Sequence, residues 1–575
     1  MKLVIYSSVS PHILRHLLWR LSLDLPEVVL CGVLYETARP PASIDKRIRR
    51  FAHLLRDREF LIYAADRLRA AGIAAAERVL DRALRFVHAA PRHPNGEPLT
   101  LEQVIAEWTP RGVRFHVTPD LHAADSLAFV RHLAPDLGFI YGTRILQPAL
   151  FTIPTRGSVN VHKHKLPDYR GSGSPGLWEL RDGRAEQAVT VHRVMKEVDA
   201  GAVLGERAFA IEPFDTLDSL QLKADIVGVD LVVDVFRDEA RGCSVERPQA
   251  QGGELFKGVP PHRKHAILRR IRAQRPTWRP SRFRPIWKQI PRLLALPLMA
   301  FRNCRRRRTA RFPVVVLYHH LACDRQKRMG LPTTAFARQI RYLKKHYRIA
   351  SLREAVRMLQ DGTVTAPTVV LTFDDGYADN FMGLRAIAEI EQVPVTIFVC
   401  PAHVTEQSEL AHDVTRGERG FRSLGWDEVR YLDRHGVTIG SHTRTHFNCG
   451  ATDRARLIEE IVGSRDELAH ALGHPVEAFA FPKGKPHNIS AAAFTIARQA
   501  YPIVLSAAGG DNVGPLVLPV EIRRHSHPDA IVELELQLQG LLDRAVPYRP
   551  VEEIEADTSA GRRPSSPMPA TASPS

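Results

Sequence analysis

Short apolar runs, separated by polar or helix-like stretches, mark the first part of the chain. The runs LVIYSS and EVVLCGVLYE lie within residues 1–36, and two more follow at residues 113–118 and 137–142. Apolar runs of this length that alternate with helical stretches are typical of a parallel sheet wrapped by helices. The pattern therefore predicts an α/β domain over residues 1–240. Apolar positions at helical spacing predict a helical insertion at about 45–89.

A second set of apolar runs begins at residue 312 and has the same alternating character. Its strand-like segments are PVVVLYHH, TVVLTFDD, VPVTIFV, GVTIGSH and EAFAFP. They predict a second α/β domain over residues 312–547. Residues 241–311 are rich in Pro, Arg and Lys and are interpreted as a linker. The Pro-, Ser-, Ala- and Thr-rich residues 548–575 are expected to be disordered.

Charge changes this picture only in the linker. The 575 residues have a formal net charge of +17, and residues 257–311 alone hold 18 Lys and Arg and no Asp or Glu. A basic segment with aromatic residues such as Trp278 and Trp287 suits the surface of an anionic membrane, so peripheral membrane contact is the favoured interpretation. A solvated linker packed against the domains is the alternative, and binding of nucleic acid through phosphate is the least favoured.

Cysteines and termini exclude some classes of protein. The 6 cysteines form no C-x-x-C pair, which argues against a disulfide framework and a cysteine-based zinc site. The N-terminal run is typical of a first strand rather than of a secretory signal, and no run reaches the about 18 apolar residues of a spanning helix. We therefore expect a cytoplasmic protein, with the inner face of the membrane as the place of any membrane contact.

In the N-terminal domain, candidate chemistry lies at Asn160, His162 and Asp199. Acyl transfer to an amine needs a polarised carbonyl, donors for the developing oxyanion and a group that manages the proton of the amine. Asn160 and His162 lie two residues apart, so on a strand they face the same side. Asp199 precedes an Ala-Gly turn signal and can orient the imidazole. Singly, each residue is explained as well by the end of a strand or the start of a turn.

Taken together, these motifs resemble the formyltransferase family, which includes methionyl-tRNA, glycinamide ribonucleotide and sugar N-formyltransferases. The matching segments are N-V-H (160–162), L-P-D-Y-R-G (166–171), V-T-V-H (189–192), V-D-A-G (198–201) and I-Y-G-T-R-I-L (140–146). The resemblance implies a Rossmann-like parallel-sheet domain, 10-formyltetrahydrofolate as formyl donor, and catalytic roles for Asn160, His162 and Asp199. It implies folate-binding positions at four residues, Tyr141, Gly142, Leu166 and Pro167. Lys163 and His164 stand where small or polar residues are usual, so the acceptor stays open.

In the C-terminal domain, two aspartates and two histidines carry the candidate chemistry. Asp374 and Asp375 end the apolar strand VVLTF, and His442 and His446 follow the strand VTIG. Hydrolysis of an amide by a metal needs carboxylate and imidazole ligands, an open position for water and a second carboxylate as base. A strand end lets two adjacent aspartates take different roles, and histidines four apart share a face if the turn between them is helical. The alternative is a simple turn with incidental histidines.

The segments T-F-D-D-G (372–376), S-H-T-R-T-H (441–446) and F-P-K-G (481–484) resemble the polysaccharide deacetylase, or NodB-homology, family. The resemblance implies a distorted (β/α) barrel in which Asp374 is the general base. It also implies that Asp375, His442 and His446 hold zinc or a similar divalent metal. Lys483 stands where many members have Tyr, at a position whose backbone N–H helps to bind the oxyanion.

Two further roles in this domain are left with alternatives. The general acid is assigned to either His525 or His527, and each of these is explained equally well as a surface residue. Arg523 or Arg524 is expected to pair with Asp374 and tune it.

The two halves together predict a bifunctional carbohydrate-modifying enzyme. One domain removes acetyl, or formyl, from an amino-sugar glycan precursor, and the other formylates an amine; the order of the two reactions is open. The alternatives are a methionyl-tRNA formyltransferase-like enzyme with an appended hydrolase, a chain in which only one domain is active, and a non-enzymatic membrane adaptor.

Overall fold

The computed structural model describes residues 1–37, 54, 57–88, 99–171, 173–250, 252–256, 258–274, 294–323, 325, 330–517, 520–528 and 530–542. The predicted disordered tail, 548–575, lies outside the described residues, as do parts of the predicted insertion and linker. The chain forms two compact units. The first comprises Met1–Arg78 and Pro98–Arg282, and the second comprises Val79–Glu97 and Phe283–Ser575.

The first unit is a sheet flanked by helices. Its strands are β1 (Lys2–Ser7), β2 (Val29–Glu36), β3 (Arg114–Thr118), β4 (Leu137–Tyr141), β5 (Ser158–His162), β6 (Tyr169–Gly171), β7 (Glu186–Arg193), β8 (Val203–Ala210) and β9 (Glu254–Phe256). Its helices are α1 (Pro11–Asp24), α2 (Arg58–His88), α3 (Leu101–Trp108), α4 (Ala124–Leu133), α5 (Pro148–Phe151), α6 (Leu177–Arg181), α7 (Leu217–Arg241) and α8 (Pro261–Gln274). The last ten residues of α2 belong to the second unit.

The seven-stranded sheet runs in the order β3-β2-β1-β4-β5-β7-β8. Its first five strands are parallel, which confirms the predicted Rossmann-like sheet. β7 and β8 add to β5 in antiparallel fashion, so the sheet is mixed rather than purely parallel. An antiparallel edge on a parallel sheet is a common arrangement. It matters here because it sets β7 directly against the end of β5 that carries Asn160 and His162.

Alternation along β1 explains why helices cover both faces of this sheet. Leu3 and Ile5 belong to a cluster with α1, α3 and α7, whereas Val4 and Tyr6 belong to a cluster with α4 and α5. Successive strand residues point to opposite faces, so a strand that is apolar throughout needs cover on both sides. The long helix α7 starts at the N-cap Thr216, which exchanges hydrogen bonds with Ser219, and it ends before Gly242 at φ +70°.

The predicted linker is partly built into the units. β9 pairs with β6, and Phe256 and Ile271 lie in a cluster with Trp178 of α6. Residues 254–274 therefore belong to the first unit, beyond the predicted boundary at residue 240. This stretch has few apolar residues among many basic ones, so its composition predicted a linker rather than part of a packed unit.

The second unit is built around parallel strands. They are β10 (Val314–His319), β11 (Leu321–Ala322), β12 (Gly330–Leu331), β13 (Arg348–Ile349), β14 (Thr368–Phe373), β15 (Val395–Val399), β16 (Val437–Ser441), β17 (Ala478–Ala480), β18 (Ile503–Ser506) and β19 (Val520–Ser526). Its helices are α9 (Leu296–Arg308), α10 (Thr333–His346), α11 (Leu352–Gln360), α12 (Phe381–Arg385), α13 (Pro401–Glu406), α14 (Ala411–Thr415), α15 (Trp426–Arg434), α16 (Arg454–Ile458), α17 (Ser464–Leu472), α18 (Ala491–Ala500) and α19 (Ile531–Leu538).

Seven of these strands close into a barrel. The order is β10-β19-β18-β17-β16-β15-β14, and β14 pairs back to β10, while β13 adds to β14 outside the closure. All these pairings are parallel, which confirms the predicted (β/α) barrel. Strands such as β14 and β15 are buried at every position, as expected for strands covered on both faces. In such barrels the chemistry lies at the carboxyl ends of the strands.

None of the described helices combines the length and the apolar content that crossing a bilayer requires.

Candidate functional sites

Asp374 and Asp375 occupy the first two positions after β14 and point to different partners. Asp375 has φ +72° and is followed by Gly376 at φ +68°. A left-handed aspartate is uncommon, and this conformation reverses the chain immediately after the strand. Asp374 meets Arg524, whereas Asp375 meets two histidines. The strand end therefore directs the two adjacent carboxylates to different partners.

Asp375, His442 and His446 form the tightest cluster of candidate ligands. The Nε2 atoms of His442 and His446 lie 3.5 and 3.2 Å from Asp375 Oδ1. One donor atom from each residue falls within 4.8 Å of the others, and this is the one such group of three among the described residues. The side chains of Asp375 and His442 are each only 2% exposed, and that of His446 is 13% exposed. The structure therefore brings all three predicted ligands together.

The route by which the two histidines converge differs from the prediction. The segment after β16 is an irregular turn rather than a helical one, with Thr443 at φ +61° and His446 at φ +57°. Thr443 Oγ1 accepts a hydrogen bond from the backbone N–H of Phe447, which holds the turn. Sequence spacing could not distinguish a helical turn from this one, because both bring His446 back near His442, four residues earlier.

The cluster fits a divalent metal. Both carboxylate oxygens of Asp375 are buried, and no described residue gives either of them a hydrogen bond. His442 Nδ1 donates to the backbone carbonyl of Ala480 at 2.7 Å, which leaves Nε2 as the ligand atom. Two donors each about 2.0–2.1 Å from a tetrahedral zinc ion are about 3.3 Å apart, close to both measured separations. Burial opposes ionisation of Asp375, yet His442 and His446 hold the pKa of its carboxyl well below the usual value.

Asp374 lies in a buried, bidentate ion pair. The guanidinium of Arg524 donates to both carboxylate oxygens, at 2.6 and 3.0 Å, and both side chains are nearly fully buried. Arg524 also lies over the rings of Tyr318 and Phe398. Burial alone would raise the pKa of Asp374, but the charge of Arg524 holds it below its usual value. Of the two predicted partners, Arg524 therefore makes the pair.

The two histidines considered as general acid have other contacts. His525 is buried and uses one ring nitrogen on the Gly510 carbonyl and the other on Gln537, so it has no ring nitrogen for a substrate. This corrects its assignment as an acid, because both of its nitrogens serve the fold. The ring of His527 packs at 3.9 Å on that of His319, and burial lowers the pKa of both imidazoles.

Sequence reasoning missed two histidines beside Asp375. His320 Nε2 and His412 Nε2 each lie 4.0 Å from Asp375 Oδ2, and the ring of His412 lies 4.7 Å from that of His446. His320 was visible in the Y-H-H segment at the end of β10. His412 stands on α14, where no motif marked it, so its role depends on tertiary structure.

Lys483, predicted to supply a backbone N–H, follows β17 and has a left-handed backbone conformation at φ +61°.

In the first unit, Asn160, His162 and Asp199 also come together, with His192 among them. Asn160 Nδ2 lies 3.2 Å from His192 Nε2, and His192 Nε2 lies 3.4 Å from Asp199 Oδ1. His162 Nδ1 lies 3.7 Å from Asp199 Oδ2, and its Nε2 donates to the Tyr169 carbonyl at 2.6 Å. His192 was within the V-T-V-H motif but was not selected; the antiparallel pairing of β5 with β7 sets it opposite Asn160.

The charges of this site are fixed by burial and by direct contacts. Burial lowers the pKa of His162 to about 4, against the charge of Asp199. Burial alone would raise the pKa of Asp199, but His192, His162 and the backbone N–H of Gly171 lower it to about 2. At neutral pH the site therefore holds a neutral imidazole beside a carboxylate. Asp199 has φ +51°, a second left-handed aspartate at a candidate site.

The four predicted folate-binding residues lie around β4 and after β5. The Tyr141 side chain is fully buried, so the accessible feature there is the backbone at the strand end. Gly142 has φ +66°, and its carbonyl accepts from Ser8 Oγ. Leu166 is buried and joined to Pro167 by a cis peptide bond.

The two unusual residues after His162 have firm partners. Lys163 pairs with Asp225, and His164 Nδ1 pairs with Glu179 Oε1 at 2.8 Å inside the protein. The ring of His164 lies 5.3 Å from that of His162. Both side chains are therefore paired within the protein, and His164 lies next to His162.

Two protein families match separate parts of the chain. The family described as formyl transferase matches residues 116–236, and the family described as polysaccharide deacetylase matches residues 361–500. The first range contains Asn160, His162 and Asp199, and the second contains Asp374 and the Asp375 cluster. The resemblance to both families is thereby confirmed.

Individual relatives cover one part of the chain each. The methionyl-tRNA formyltransferase of Thermotoga sp. (strain RQ2) is 32% identical over 137 residues, which are 23% of this chain and 42% of that protein. The chain thus spans less than half the length of this curated relative. IcaB from Ammonifex degensii is 19% identical with a TM-score of 0.33, over 40% of this chain and 97% of that one. Glycinamide ribonucleotide transformylase 1 from Symbiobacterium toebii is 14% identical with a TM-score of 0.29, over 44% and 94%.

Proposed function

We propose that the chain is a bifunctional enzyme acting on amino-sugar nitrogen. The second unit hydrolyses an N-acetyl or N-formyl group from a glycan precursor with the help of a divalent metal, and the first unit transfers formyl from 10-formyltetrahydrofolate to an amine. The observation that carries the proposal is the buried Asp375 carboxylate, which lacks a hydrogen-bond donor among the described residues and faces two imidazoles.

Each side chain of the second unit has a distinct task in the hydrolysis. Asp375, His442 and His446 would hold the metal, which when bound polarises the amide carbonyl and makes water a better nucleophile. Asp374 accepts the proton of the attacking water, and Arg524 keeps this carboxylate ionised and fixed in orientation. The resemblance to the deacetylase family implies that the backbone N–H of Lys483 would donate to the developing oxyanion. The leaving amine needs a proton. His320 or His412, which both lie 4.0 Å from Asp375 outside the ligand set, donates it.

In the first unit the formyl carbonyl is attacked by the acceptor amine. Asn160 and His162 stabilise the oxyanion of the tetrahedral intermediate, which requires His162 to exchange its bond to the Tyr169 carbonyl for one to substrate. Asp199, ionised at neutral pH, orients the imidazoles and helps to pass the proton that the amine loses to the folate nitrogen. The bond between that nitrogen and the formyl carbon breaks, and tetrahydrofolate leaves. The His164–Glu179 pair lies beside His162, at a position where the family usually has small or polar residues, so it is a candidate contact for the acceptor.

An amino sugar joins the two activities because both concern one amide nitrogen. Removal of acetyl exposes an amine, and an exposed amine is the acceptor that formyl transfer needs. The reverse order, with formyl added and later removed, uses the same groups. A nucleotide-linked or lipid-linked glycan precursor is the substrate class that fits either order.

Mass spectrometry can test substrate and direction together. Nucleotide-linked and undecaprenyl-linked N-acetyl and free amino sugars are incubated with the full chain, zinc and 10-formyltetrahydrofolate. Loss of acetyl mass that needs metal, or gain of formyl mass that needs folate, is the expected result. If no amino sugar changes mass under any combination, the proposal is wrong.

The identity of 32% to a methionyl-tRNA formyltransferase favours a second candidate acceptor, the amino group of charged initiator tRNA. Formylation of methionyl-tRNA by the full chain, at a rate above that of any amino sugar, would replace the sugar proposal for the first unit. The hydrolytic proposal for the second unit would stand unaffected.

A further inference from the structure

One face of helix α9 in the second unit is exposed and has an unusual composition. Its side chains, with that of Leu294 just before the helix, form what we call the basic–apolar stripe: Leu294, Leu298, Phe301, Arg305 and Arg308. The three apolar members are 85%, 51% and 67% exposed, and both arginines are exposed. Residues spaced by three and four share one side of a helix, so the stripe is a continuous surface with apolar residues at one end and charge at the other.

The opposite face of α9 is anchored in the unit. Met299 is fully buried and packs with Val532 and Leu536 of α19, and Asn303 Nδ2 donates to the carbonyl of Val87. Arg306 donates to Asp511 at 2.9 Å. These contacts fix the rotation of the helix. The stripe is therefore presented to solvent by the packing of its other side, and not by loose attachment.

Charge along α9 itself has a single sign. The helix contains five arginines and no Asp or Glu, and it ends in four consecutive arginines. An exposed surface of this kind is complementary to an array of anionic groups. A partner that matches only the charge would leave Leu294, Leu298 and Phe301 exposed to water. A partner that also buries these apolar side chains gains the free energy of removing them from water.

We propose that the basic–apolar stripe docks on an anionic lipid surface. The arginines contact lipid phosphate, and the leucines and phenylalanine enter the boundary between headgroups and acyl chains. A nucleic acid backbone would use the arginines alone, since non-specific binding to it is electrostatic. The proposal is independent of either enzymatic activity, and a lipid-linked substrate would gain from it because the enzyme would be concentrated where that substrate lies.

Vesicle sedimentation of the full chain separates the two contributions. The probes are sucrose-loaded vesicles of phosphatidylcholine, with and without phosphatidylglycerol, at low and at high salt. We expect binding to the anionic vesicles and little to the neutral ones. The double variant Arg305→Gln/Arg308→Gln should weaken binding about 25-fold, at about fivefold for each charge. The double variant Leu298→Ser/Phe301→Ser should weaken it at least about tenfold.

A matched control removes similar groups elsewhere on the same unit. Ile458, Arg357 and Arg434 are exposed on other helices, and the variant Ile458→Ser/Arg357→Gln/Arg434→Gln should bind as the original chain does. Circular dichroism and a thermal melt check that each variant is folded.

Three outcomes would overturn the proposal. One is the absence of binding to anionic vesicles by the folded chain. Another is unchanged vesicle binding in the Leu298→Ser/Phe301→Ser variant, which would leave a purely electrostatic surface. The third is a duplex DNA competitor that binds more tightly than the vesicles and loses affinity only with the arginine variant.

Discussion

The two candidate sites each contain an aspartate at positive φ beside two histidines, but the two carboxylates differ in the hydrogen bonds that they receive. Asp199 and Asp375 both adopt positive φ, and each lies within 3.7 Å of two histidine nitrogens. Asp199 also accepts the backbone N–H of Gly171 at 2.8 Å. Asp375 receives no hydrogen bond from the described residues. A buried carboxylate without donors is costly unless a cation or a proton completes it.

The histidines show the same contrast. In the first unit His162 donates to Tyr169, and His192 contacts Arg193 with one nitrogen and Asn160 with the other. In the second, His442 donates Nδ1 to Ala480 and keeps Nε2 directed at Asp375. The groups of the first site are therefore satisfied by one another and by the backbone. The second site leaves a buried carboxylate facing two imidazoles, an arrangement that a metal ion would complete.

The largest effect should come from removing the Asp375 carboxylate. Asp375→Asn should lower amide hydrolysis by more than about 10³-fold, because loss of one oxyanion donor alone costs about 10²–10³-fold and here the proposed metal site would be lost as well. Formyl transfer should be unchanged. Zinc should raise the melting temperature of the original chain by mass action and should not raise that of the variant.

The exposed Asp361→Asn provides the control, since it changes the same chemical group at the end of α11. If Asp375→Asn kept both the hydrolysis and the zinc-dependent shift, the contrast between the two sites would fail.

The second effect concerns Asp374, whose charge is already balanced by the guanidinium of Arg524. Arg524→Leu should destabilise the second unit by about 3–5 kcal/mol, because it leaves Asp374 buried without its partner. The free energy of unfolding in urea measures this. Arg524→Lys keeps the charge but not the bidentate bond, and it should fall between.

Arg523 is the matched control for this experiment. It neighbours Arg524 on β19, where successive side chains point to opposite faces, and Arg523→Leu should cost much less. Equal costs for the two leucine variants would show that the Asp374 pair adds nothing particular.

Sequence patterns predicted the architecture of both units and most residues of both clusters, because strand ends and short motifs are local features. They did not predict how Asp375 meets its histidines, since a turn with Thr443 and His446 at positive φ has no period to detect. They also missed His192 and His412. His192 reaches Asn160 only because β7 runs antiparallel to β5, and His412 reaches Asp375 from a separate helix. Both contacts are decided by tertiary structure rather than by neighbours in sequence.

The third effect is the pH dependence of the stability of the first unit, which His162 should cause. The pKa of His162 is lowered from 6.5 to about 4 in the folded protein, so the unfolded chain binds more protons between these values. Stability must therefore fall as pH drops from 6.5 towards 4, by up to about 3 kcal/mol. Asp199, lowered from 3.8 to about 2, contributes stability that is lost only below pH 3.8, in a separate window.

Amide hydrogen exchange of β4 and β5 measures this in the first unit alone. His162→Gln should remove most of the loss between pH 6.5 and 4 and leave the loss at lower pH. An unchanged profile in the variant would mean that His162 is not the group that titrates.

The smallest effect should come from His192, which positions other groups. Its Nε2 lies between Asn160 and Asp199, and its Nδ1 bonds to the Arg193 carbonyl, so the ring holds the amide and the carboxylate in register. His192→Gln should lower kcat for formyl transfer about tenfold, the lower end of what orienting groups contribute, with KM for the folate nearly unchanged. His192→Asn, with a shorter side chain, should lose more. A fall in kcat as large as that of Asn160→Ala would instead place His192 in direct contact with the reacting carbonyl.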